Sequence, residues 1–403
     1  MIRKHCFTSL ALLLIVACQP GRISSRTDEA VALLKMEGLE NAYPYWSNDG
    51  TKILFQSNRT GKWQIYIMNS DGSNQHAVTN DDYNNNYPCW SPDNNKITFV
   101  SDRDGNEEIY VMNADGSGML RLTNNSARDI HPYWSPDGSV ILFNSTRFED
   151  NFEIFEIHPD GTDLKRLTFT PDHETCARVS PNGDKILFLK GIQGYGDEIF
   201  VMDRDGSNPV NLTNDIFPDG WPSWTDDGNR ILFSSYRPGT FCIFSMNAEG
   251  KDLRRISYSE PPYNDARANV LNNKIVFNRQ IGSTLGIYTL DLDNWDELEA
   301  IDQSILRFPV EGKTLESYTG TYRFRNEKND IPLYILSDDG KLFIQFENKV
   351  RYELTANSEF VFSLQLTPLT IVFVEDKNGE VRSLNFIQNA RSTEFVKIVS
   401  ESE

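Results

Sequence analysis

Residues 133–143 read YWSPDGSVILF, and this stretch decides the fold. Two apolar runs flank a Ser-Pro-Asp-Gly segment, in which Pro fixes its own φ and Gly accepts a positive φ. Such a segment between two short runs rich in aromatic and β-branched residues is typical of antiparallel strands joined by a tight turn. The stretch therefore predicts a β-hairpin.

The same stretch recurs along the chain. Its last residue is repeated every 44 or 45 residues, as Phe55, Phe99, Phe143, Phe188, Phe233 and Phe277. Each unit contains four short β runs, and this period with four strands per unit is the signature of a β-propeller. The sequence thus predicts an all-β protein whose residues 40–302 form a six-bladed propeller. Two segments compete to supply the strand that closes the ring, 30–35 and 297–301.

A large side chain marks the end of the first strand in most units. Trp46, Trp90, Trp134 and Trp224 occupy this position, and we expect them to wedge between neighbouring blades. Val179 takes the position in the fourth unit. The sixth unit is degraded: we assign the position to Ala268, and Leu271-Asn272 replace the Asp-Gly turn there.

These residues closely resemble the TolB-type propeller repeat, W-S-P-D-G-x-x-I-x-F followed by an Arg-bearing turn and an I-Y-x-M-N-x-D-G hairpin. The turn Arg is present as Arg59, Arg103, Arg147 and Arg237. Lys190 and Arg279 fall two positions early, so the turn is expected to differ in the fourth and sixth blades. The resemblance implies a six-bladed propeller that serves mainly as a protein-interaction platform in the bacterial envelope.

A second domain is predicted at 315–403, after a linker at 303–314. Its short runs alternate apolar and polar residues, which favours a small antiparallel β-barrel. The segment resembles the lipocalin-like barrel often appended to β-lactamase-like serine hydrolases, through Tyr318-x-Gly320-x-Tyr322 and Gly340-Lys341-Leu342. The chain has no S-x-x-K or G-x-S-x-G motif, so that family's catalytic residues cannot be carried over.

The N-terminal sequence predicts the cellular location of the protein. Arg3 and Lys4 precede an apolar run that is too short to span a bilayer, as in a secretory signal. The run ends Ile15-Val16-Ala17-Cys18, which resembles a bacterial lipobox. The resemblance implies a signal peptide at 1–17, an acylated Cys18 with a tether at 18–39, and, because Gln19 follows, retention at the outer membrane. Whether the protein faces the periplasm or the medium is left open.

Charge and cysteine content limit the partners. The chain has 39 Lys and Arg against 58 Asp and Glu, a formal net charge of −19, which argues against nucleic acid as a partner. The chain has no C-x-x-C pair, and Cys89, Cys176 and Cys242 are predicted to be free thiols. No metal site and no cofactor is predicted.

The predicted site lies on one face of the ring. The connections from each outer strand to the next inner strand carry charged and aromatic residues around the mouth of the channel, where propeller sites usually lie. The candidate partner-binding residues are Arg128, Asp129, His131, His173, Glu174, Arg178, Asp219, Trp221, Asp265 and Arg267.

Three functions are compatible with these features. The first is a lipid-anchored envelope protein whose propeller binds a protein or peptide at the channel mouth. The second is a glycan-binding protein or a metal-dependent oligosaccharide lyase, because some similar propellers hold a metal through histidines in the channel. His131 and His173 lie in the right zone, but two further imidazoles are needed, and His76 and His158 fall elsewhere in their blades. The third is an accessory subunit of an envelope hydrolase.

Overall fold

The protein was described from a computed structural model. The structure describes residues 30–148, 151–192, 196–213, 218–236, 240–259, 263–292, 298, 318–324, 333–338, 341–346, 352–356, 361–363, 370–375, 381–388 and 391–397. Every regular element in these ranges is a β-strand, which confirms the all-β prediction. No helix long and apolar enough to cross a membrane is found in them. The predicted signal peptide, Cys18 and the linker at 303–314 lie outside the described residues.

The repeat units fold into four-stranded antiparallel sheets with consecutive strand order. The strand that precedes them is β1 (Val31–Leu34). The first three sheets consist of β2 (Asn41–Trp46), β3 (Lys52–Ser57), β4 (Gln64–Asn69) and β5 (His76–Ala77); β6 (Asn85–Trp90), β7 (Lys96–Ser101), β8 (Glu108–Asn113) and β9 (Leu120–Arg121); and β10 (Asp129–Trp134), β11 (Ile141–Ser145), β12 (Glu153–Ile157) and β13 (Lys165–Arg166).

The next two sheets follow the same order. They consist of β14 (Glu174–Val179), β15 (Lys185–Ile192), β16 (Gly196–Asp203) and β17 (Val210–Asn211); and β18 (Asp219–Trp224), β19 (Arg230–Ser235), β20 (Cys242–Asn247) and β21 (Arg254–Arg255). The sixth sheet contains β22 (Tyr263–Leu271), β23 (Lys274–Ile281) and β24 (Thr284–Asp291).

The fourth strand of the sixth sheet comes from the start of the chain. β1 pairs antiparallel with β24, so that Val31 lies opposite Thr289. Of the two segments that the sequence left open, the one at 30–35 supplies this strand. Most of the other, 297–301, lies outside the described residues.

Buried side chains join the sheets in a cycle. Trp46 and Phe55 of the first sheet share a cluster with Val276 of the sixth sheet and Leu34 of β1. Five similar clusters join the first sheet to the second and so on to the sixth. The first strands of the six sheets also neighbour one another in the same cyclic order. They therefore surround a common axis.

The tryptophans lie between sheets, as predicted. Trp46, Trp90, Trp134 and Trp224 are all buried. Each packs on the preceding sheet of the cycle; Trp134, for example, shares a cluster with Val100 and Ile109. In these four sheets the Trp thus buries a large aromatic surface against the neighbouring sheet.

The assignment of Ala268 to the Trp position was wrong. In the sixth sheet Val270 pairs with Ile275, as Trp46 pairs with Ile53 in the first sheet. The connection is two residues shorter, because Asn272 and Asn273 both take positive φ and form a tight hairpin turn. The equivalent residue therefore shifts from 268 to 270.

The C-terminal segment forms one nine-stranded antiparallel sheet. In chain order its strands are β25 (Gly320–Phe324), β26 (Leu333–Asp338), β27 (Lys341–Phe346), β28 (Tyr352–Glu353), β29 (Thr355–Ala356), β30 (Val361–Ser363), β31 (Thr370–Glu375), β32 (Val381–Gln388) and β33 (Arg391–Lys397). Their order across the sheet is β28-β27-β26-β25-β33-β32-β31-β30-β29. Its core contains Tyr318 and Tyr322, and the Tyr322 hydroxyl donates to the Tyr318 carbonyl at 2.7 Å.

Candidate functional site

One residue on the first strand of each sheet adopts a left-handed backbone conformation. The six residues are Tyr43, Tyr87, His131, Cys176, Trp221 and Arg267, with φ between 47° and 57°, and we call them the first ring. Each lies where the register between the first and second strands shifts, at a β-bulge. A bulge re-aims the side chain that it carries. The left-handed conformation costs a residue other than glycine about 1–2 kcal/mol.

Buried amide side chains of the preceding sheet hold these bulges. The Asn278 Oδ1 accepts from the Tyr43 backbone N–H at 3.0 Å, and its Nδ2 donates to the Asn41 carbonyl at 2.8 Å. Asn144 likewise accepts from the Cys176 N–H at 3.0 Å. The backbone groups that the bulge removes from the strand ladder are thus satisfied across the boundary between two sheets.

Four members of the first ring form an aromatic and thiol arc. The rings of Tyr43 and Tyr87 meet edge to face at 4.8 Å, and those of Tyr87 and His131 at 4.4 Å. The Cys176 Sγ lies 3.8 Å from the His131 Nδ1. These side chains are half-buried, as expected for groups that line an axis reached by solvent.

The Arg267 guanidinium completes the ring from the other side. It stacks on the ring of Tyr43 at 4.4 Å and on that of Trp221 at 4.5 Å. Its Nε is buried and has no hydrogen-bond partner in the part of the chain that the structure describes.

A second ring lies two residues further along each first strand. Its members are Tyr45, Cys89, Tyr133, Arg178, Ser223 and Asn269. Arg178 stacks on the ring of Tyr133 at 4.3 Å, and Tyr133 packs edge to face on Tyr45 at 5.5 Å. Burial raises the pKa of Tyr45 and that of Cys89 to about 12, so both groups stay neutral at physiological pH.

The two rings are electropositive although the chain is acidic overall. Burial, together with the guanidinium charges of Arg267 and Arg178, lowers the pKa of His131 to about 3. The imidazole is therefore neutral, and the positive charge of the rings resides on the two arginines. The acids that act on the first ring are Glu107 and Asp197, and Glu107 pairs with Arg128.

Several predicted site residues are buried carboxylates and do not line the axis. Asp129, Glu174, Asp219 and Asp265 are all buried at the start of their first strands. Arg147 pairs with Asp129 at 2.8 Å, Lys190 with Glu174 at 3.2 Å, and Arg279 with Asp265 at 2.6 Å. Asp129, Glu174 and Asp265 are thus held in ion pairs within their own sheets.

Arg128 and His173 lie outside the first ring but contact the same residue. The Arg128 guanidinium lies 5.5 Å from the ring centre of Phe152, and its Nε donates to Glu107 at 2.5 Å. His173 is exposed, and its Nδ1 accepts from the Phe152 N–H at 3.1 Å. Of the ten candidates, the structure brings His131, Arg178, Trp221 and Arg267 together at the axis.

The ten candidate residues leave out six aromatic or thiol members of the rings. They are Tyr43, Tyr87 and Cys176 of the first ring and Tyr45, Cys89 and Tyr133 of the second. A signal for the first ring exists, because each member lies three residues before the residue at the Trp position, and four of the six precede a proline.

The described residues include no group of three or more His, Cys, Asp or Glu that could hold a metal ion. His76 lies on the outer strand β5, and His158 lies in a turn beside Asp163, so neither joins His131 at the axis.

The comparisons with known proteins concern the sheets. Residues 73–196 match the family model of the TolB β-propeller domain. No curated protein matches the sequence. The tricorn protease structure superposes with a TM-score of 0.51 at 16% identity, over 90% of this chain and 35% of that chain.

Two TolB structures are also similar. The Agrobacterium tumefaciens protein named as a TolB matches with a TM-score of 0.50 at 20% identity, over 63% of this chain and 91% of its own. TolB from Acinetobacter baumannii matches with a TM-score of 0.49 at 24% identity, over 55% of each chain, so this chain spans about half the length of that protein. At 16% and 20% identity, the two structures with TM-scores of 0.51 and 0.50 show the fold alone. The chain therefore contains a β-propeller that is similar to that of TolB.

Proposed function

We propose that the six sheets are the blades of one six-bladed β-propeller, over residues 40–302, and that this propeller binds a protein or peptide at its axis. The observation that carries the proposal is the first ring. Six residues other than glycine keep a costly backbone conformation at equivalent positions, and such strain clusters at functional sites.

The composition of the rings suits a polypeptide partner. Tyrosine, tryptophan and arginine are the side chains enriched at the buried centres of protein interfaces. Trp221, Arg267 and Tyr87 supply all three types within the first ring. The similarity to the TolB propeller, a fold expected to serve as an interaction platform, points in the same direction.

The proposal extends to the location and the accessory parts. The lipobox-like segment ending at Cys18 supports a lipid anchor in the outer membrane of a bacterial envelope. The nine-stranded sheet within 315–403 supports a lipocalin-like barrel as a second module. Replacing Cys18 with Ser should release the protein from the membrane fraction and abolish labelling by a palmitate analogue; unchanged fractionation and labelling would contradict the anchor.

A crosslinked pull-down from native envelopes tests the binding role. The baits are the wild type, the double variant Tyr87→Ala/Trp221→Ala, and a matched control, Phe169→Ala, whose side chain is 72% exposed outside the two rings. Each bait is first checked for cooperative unfolding. We expect a protein that the wild type and the control enrich and the double variant does not. If all three baits recover the same set, the axis is not the binding site.

A further inference from the structure

We infer that the two rings form a receptor for a carboxylate group carried by a peptide, with Arg178 and Arg267 as its two cationic contacts. The inference rests on the proposed binding role of the propeller axis and names the chemistry that this axis takes. Neither arginine has a carboxylate partner among the described residues.

Most arginines of the six sheets are neutralised by a carboxylate. Nine of them form ion pairs within 3.2 Å: Arg103, Arg121, Arg128, Arg147, Arg166, Arg204, Arg230, Arg254 and Arg279. Arg59 and Arg255 lack an ion pair as well, but their guanidinium groups donate to side-chain or backbone oxygens. Arg178 and Arg267 form no ion pair with any carboxylate among the described residues, and both stack on aromatic rings at the axis. Keeping a half-buried charge without a counter-charge is costly, so its retention in a protein with an excess of acids calls for a reason.

Stacking does not supply the missing partner. The guanidinium of Arg178 faces the ring of Tyr133, and that of Arg267 faces the rings of Tyr43 and Trp221. Such contacts use the faces of the planar group and leave its N–H donors at the edge. The edge is the part that binds a carboxylate through two parallel hydrogen bonds. The stacking therefore orients the two guanidinium groups, and the buried Nε of Arg267 has no hydrogen-bond partner among the described residues.

The two charges act on the same point. Both Arg267 and Arg178 depress the pKa of His131, so both fields reach its imidazole. An anion beside His131 would lie within both fields and would relieve the repulsion between the guanidinium groups. The neutral imidazole can donate to such an anion or accept from it.

The surroundings favour an organic carboxylate on a peptide over a bare ion. The first ring lines the approach with Tyr43, Tyr87 and Trp221, which offer rigid aromatic surface at low entropic cost. An apolar or aromatic residue next to the carboxylate would pack on these rings.

The test uses the full chain and four probes. They are N-acetyl-Ala-Ala-Phe with a free carboxylate, the same peptide as its C-terminal amide, N-acetyl-Ala-Glu-Phe amide, and sodium acetate. Dissociation constants are measured by isothermal titration calorimetry at low salt, and weak binding is followed by the NMR signal of the His131 imidazole. The free acid, the glutamyl amide and acetate distinguish a chain terminus, an acidic side chain and a small free acid as the source of the carboxylate.

We expect at least one carboxylate probe to bind about 10-fold or more tightly than the uncharged amide. Arg178→Gln and Arg267→Gln should each weaken that binding about 10-fold, because each removes one charged contact. Lys185→Gln is the matched control, since it removes one positive charge at a side chain that is 50% exposed and lies in neither ring. The inference is overturned if the amide binds as well as the acids, if the two arginine variants bind like the control, or if no carboxylate binds at about 10 mM.

The outcome is separable from that of the binding role. If the partner is recovered with Arg178→Gln/Arg267→Gln but lost with Tyr87→Ala/Trp221→Ala, the axis binds a protein and the carboxylate assignment fails. If the carboxylate probes bind as expected and no partner depends on the rings, the receptor stands and the scaffold role fails.

Discussion

The Arg279 guanidinium donates two hydrogen bonds to the Asp265 carboxylate, from Nε to Oδ1 at 2.6 Å and from Nη2 to Oδ2 at 2.8 Å. The two residues lie directly opposite each other on β22 and β23, and both are buried. The same cross-strand position holds the pair of Glu174 and Lys190 in the fourth sheet. A buried carboxylate at the start of the first strand is thus tied to a base in its own sheet.

Replacing Arg279 with Met should lower the free energy of unfolding by about 3–5 kcal/mol, because Asp265 would be left as an unpaired buried charge. The double variant Asp265→Leu/Arg279→Met should recover most of this loss, since no buried charge remains. Urea denaturation monitored by circular dichroism measures both values. The control is Arg128→Met, because Arg128 is 57% exposed in its pair with Glu107 and should cost at most about 1 kcal/mol. Equal losses for Arg279→Met and Arg128→Met would show that burial does not set the strength of these pairs.

Trp134 tests the contact between the second and third sheets. Its truncation to Ala removes a buried indole from the cluster that contains Val100 and Ile109, and we expect a loss of roughly 3–5 kcal/mol in the free energy of unfolding. The control Phe169→Ala removes an exposed aromatic side chain and should change that free energy by less than about 0.5 kcal/mol. A melting temperature that is unchanged in Trp134→Ala would remove this residue from the core.

Gly116 and Gly183 allow two reasons for glycine in a turn to be compared: a positive φ and close packing against a neighbouring backbone. Their φ angles are 87° and 84°, so alanine is strained at either position. At Gly116, however, a β-carbon would also lie 2.6 Å from the Val78 carbonyl oxygen of the preceding sheet, whereas nothing lies within 4 Å at Gly183. Gly183→Ala should cost about 1 kcal/mol.

We expect Gly116→Ala to destabilise the protein clearly more than Gly183→Ala, because a backbone carbonyl cannot move away as a flexible side chain can. Thermal unfolding of the two variants side by side gives the difference. Similar melting temperatures would mean that the sheets separate easily enough to admit a methyl group at that contact.

His131 predicts a dependence of stability on pH. Its ordinary pKa of 6.5 falls to about 3 in the fold, through burial and the charges of Arg267, Arg178 and Arg128. Between these values the unfolded chain binds a proton that the folded protein does not, so this residue lowers the free energy of unfolding as the pH falls from about 6.5 to 3. The loss should approach about 1.4 kcal/mol per pH unit below pH 6.

The variant His131→Asn should lack this part of the slope while keeping the contribution of the carboxylates. Denaturant unfolding at several pH values compares it with the wild type, and NMR titration of the His131 imidazole gives the folded pKa independently. If the two proteins show parallel stability curves, or if the imidazole titrates near 6.5, then burial and the arginine charges do not lower the pKa of His131 as the structure indicates.

The repeat predicted the strands and the position of the tryptophans, because both follow from local spacing and turn chemistry. It did not predict how the bases of the fourth and sixth sheets are used. Lys190 and Arg279 stand at the strand position that Ser57 takes in the first sheet, directly across from the buried carboxylate. There a strand residue reaches its partner across the ladder, whereas Arg59 reaches Asn41 from the turn. Spacing along the chain cannot show that a base on the second strand and a base in the following turn reach the same position on the first strand.

The candidate site was recognised only in part for a similar reason. Charged residues near the start of each first strand were grouped by position, yet the bulge turns Arg267 and His131 toward the axis while Asp265 and Asp129 face the interior of their sheets. A bulge inserts one residue and reverses the alternation of side chains. The sequence shows the alternation of side chains along a strand, whereas the position of a bulge is seen only in the backbone conformation.

The pairing of β1 with β24 sets an order on biosynthesis. Val31 is made 258 residues before its partner Thr289, and a ribosome that adds about 5–20 residues per second needs roughly 10–50 s to cover that distance. Throughout this time the sixth sheet is incomplete, and the first sheet lacks the neighbour that covers Trp46. β1 is therefore among the last strands of the six sheets to be paired, and a nascent chain released before β24 is made cannot join the first sheet to the sixth through this strand.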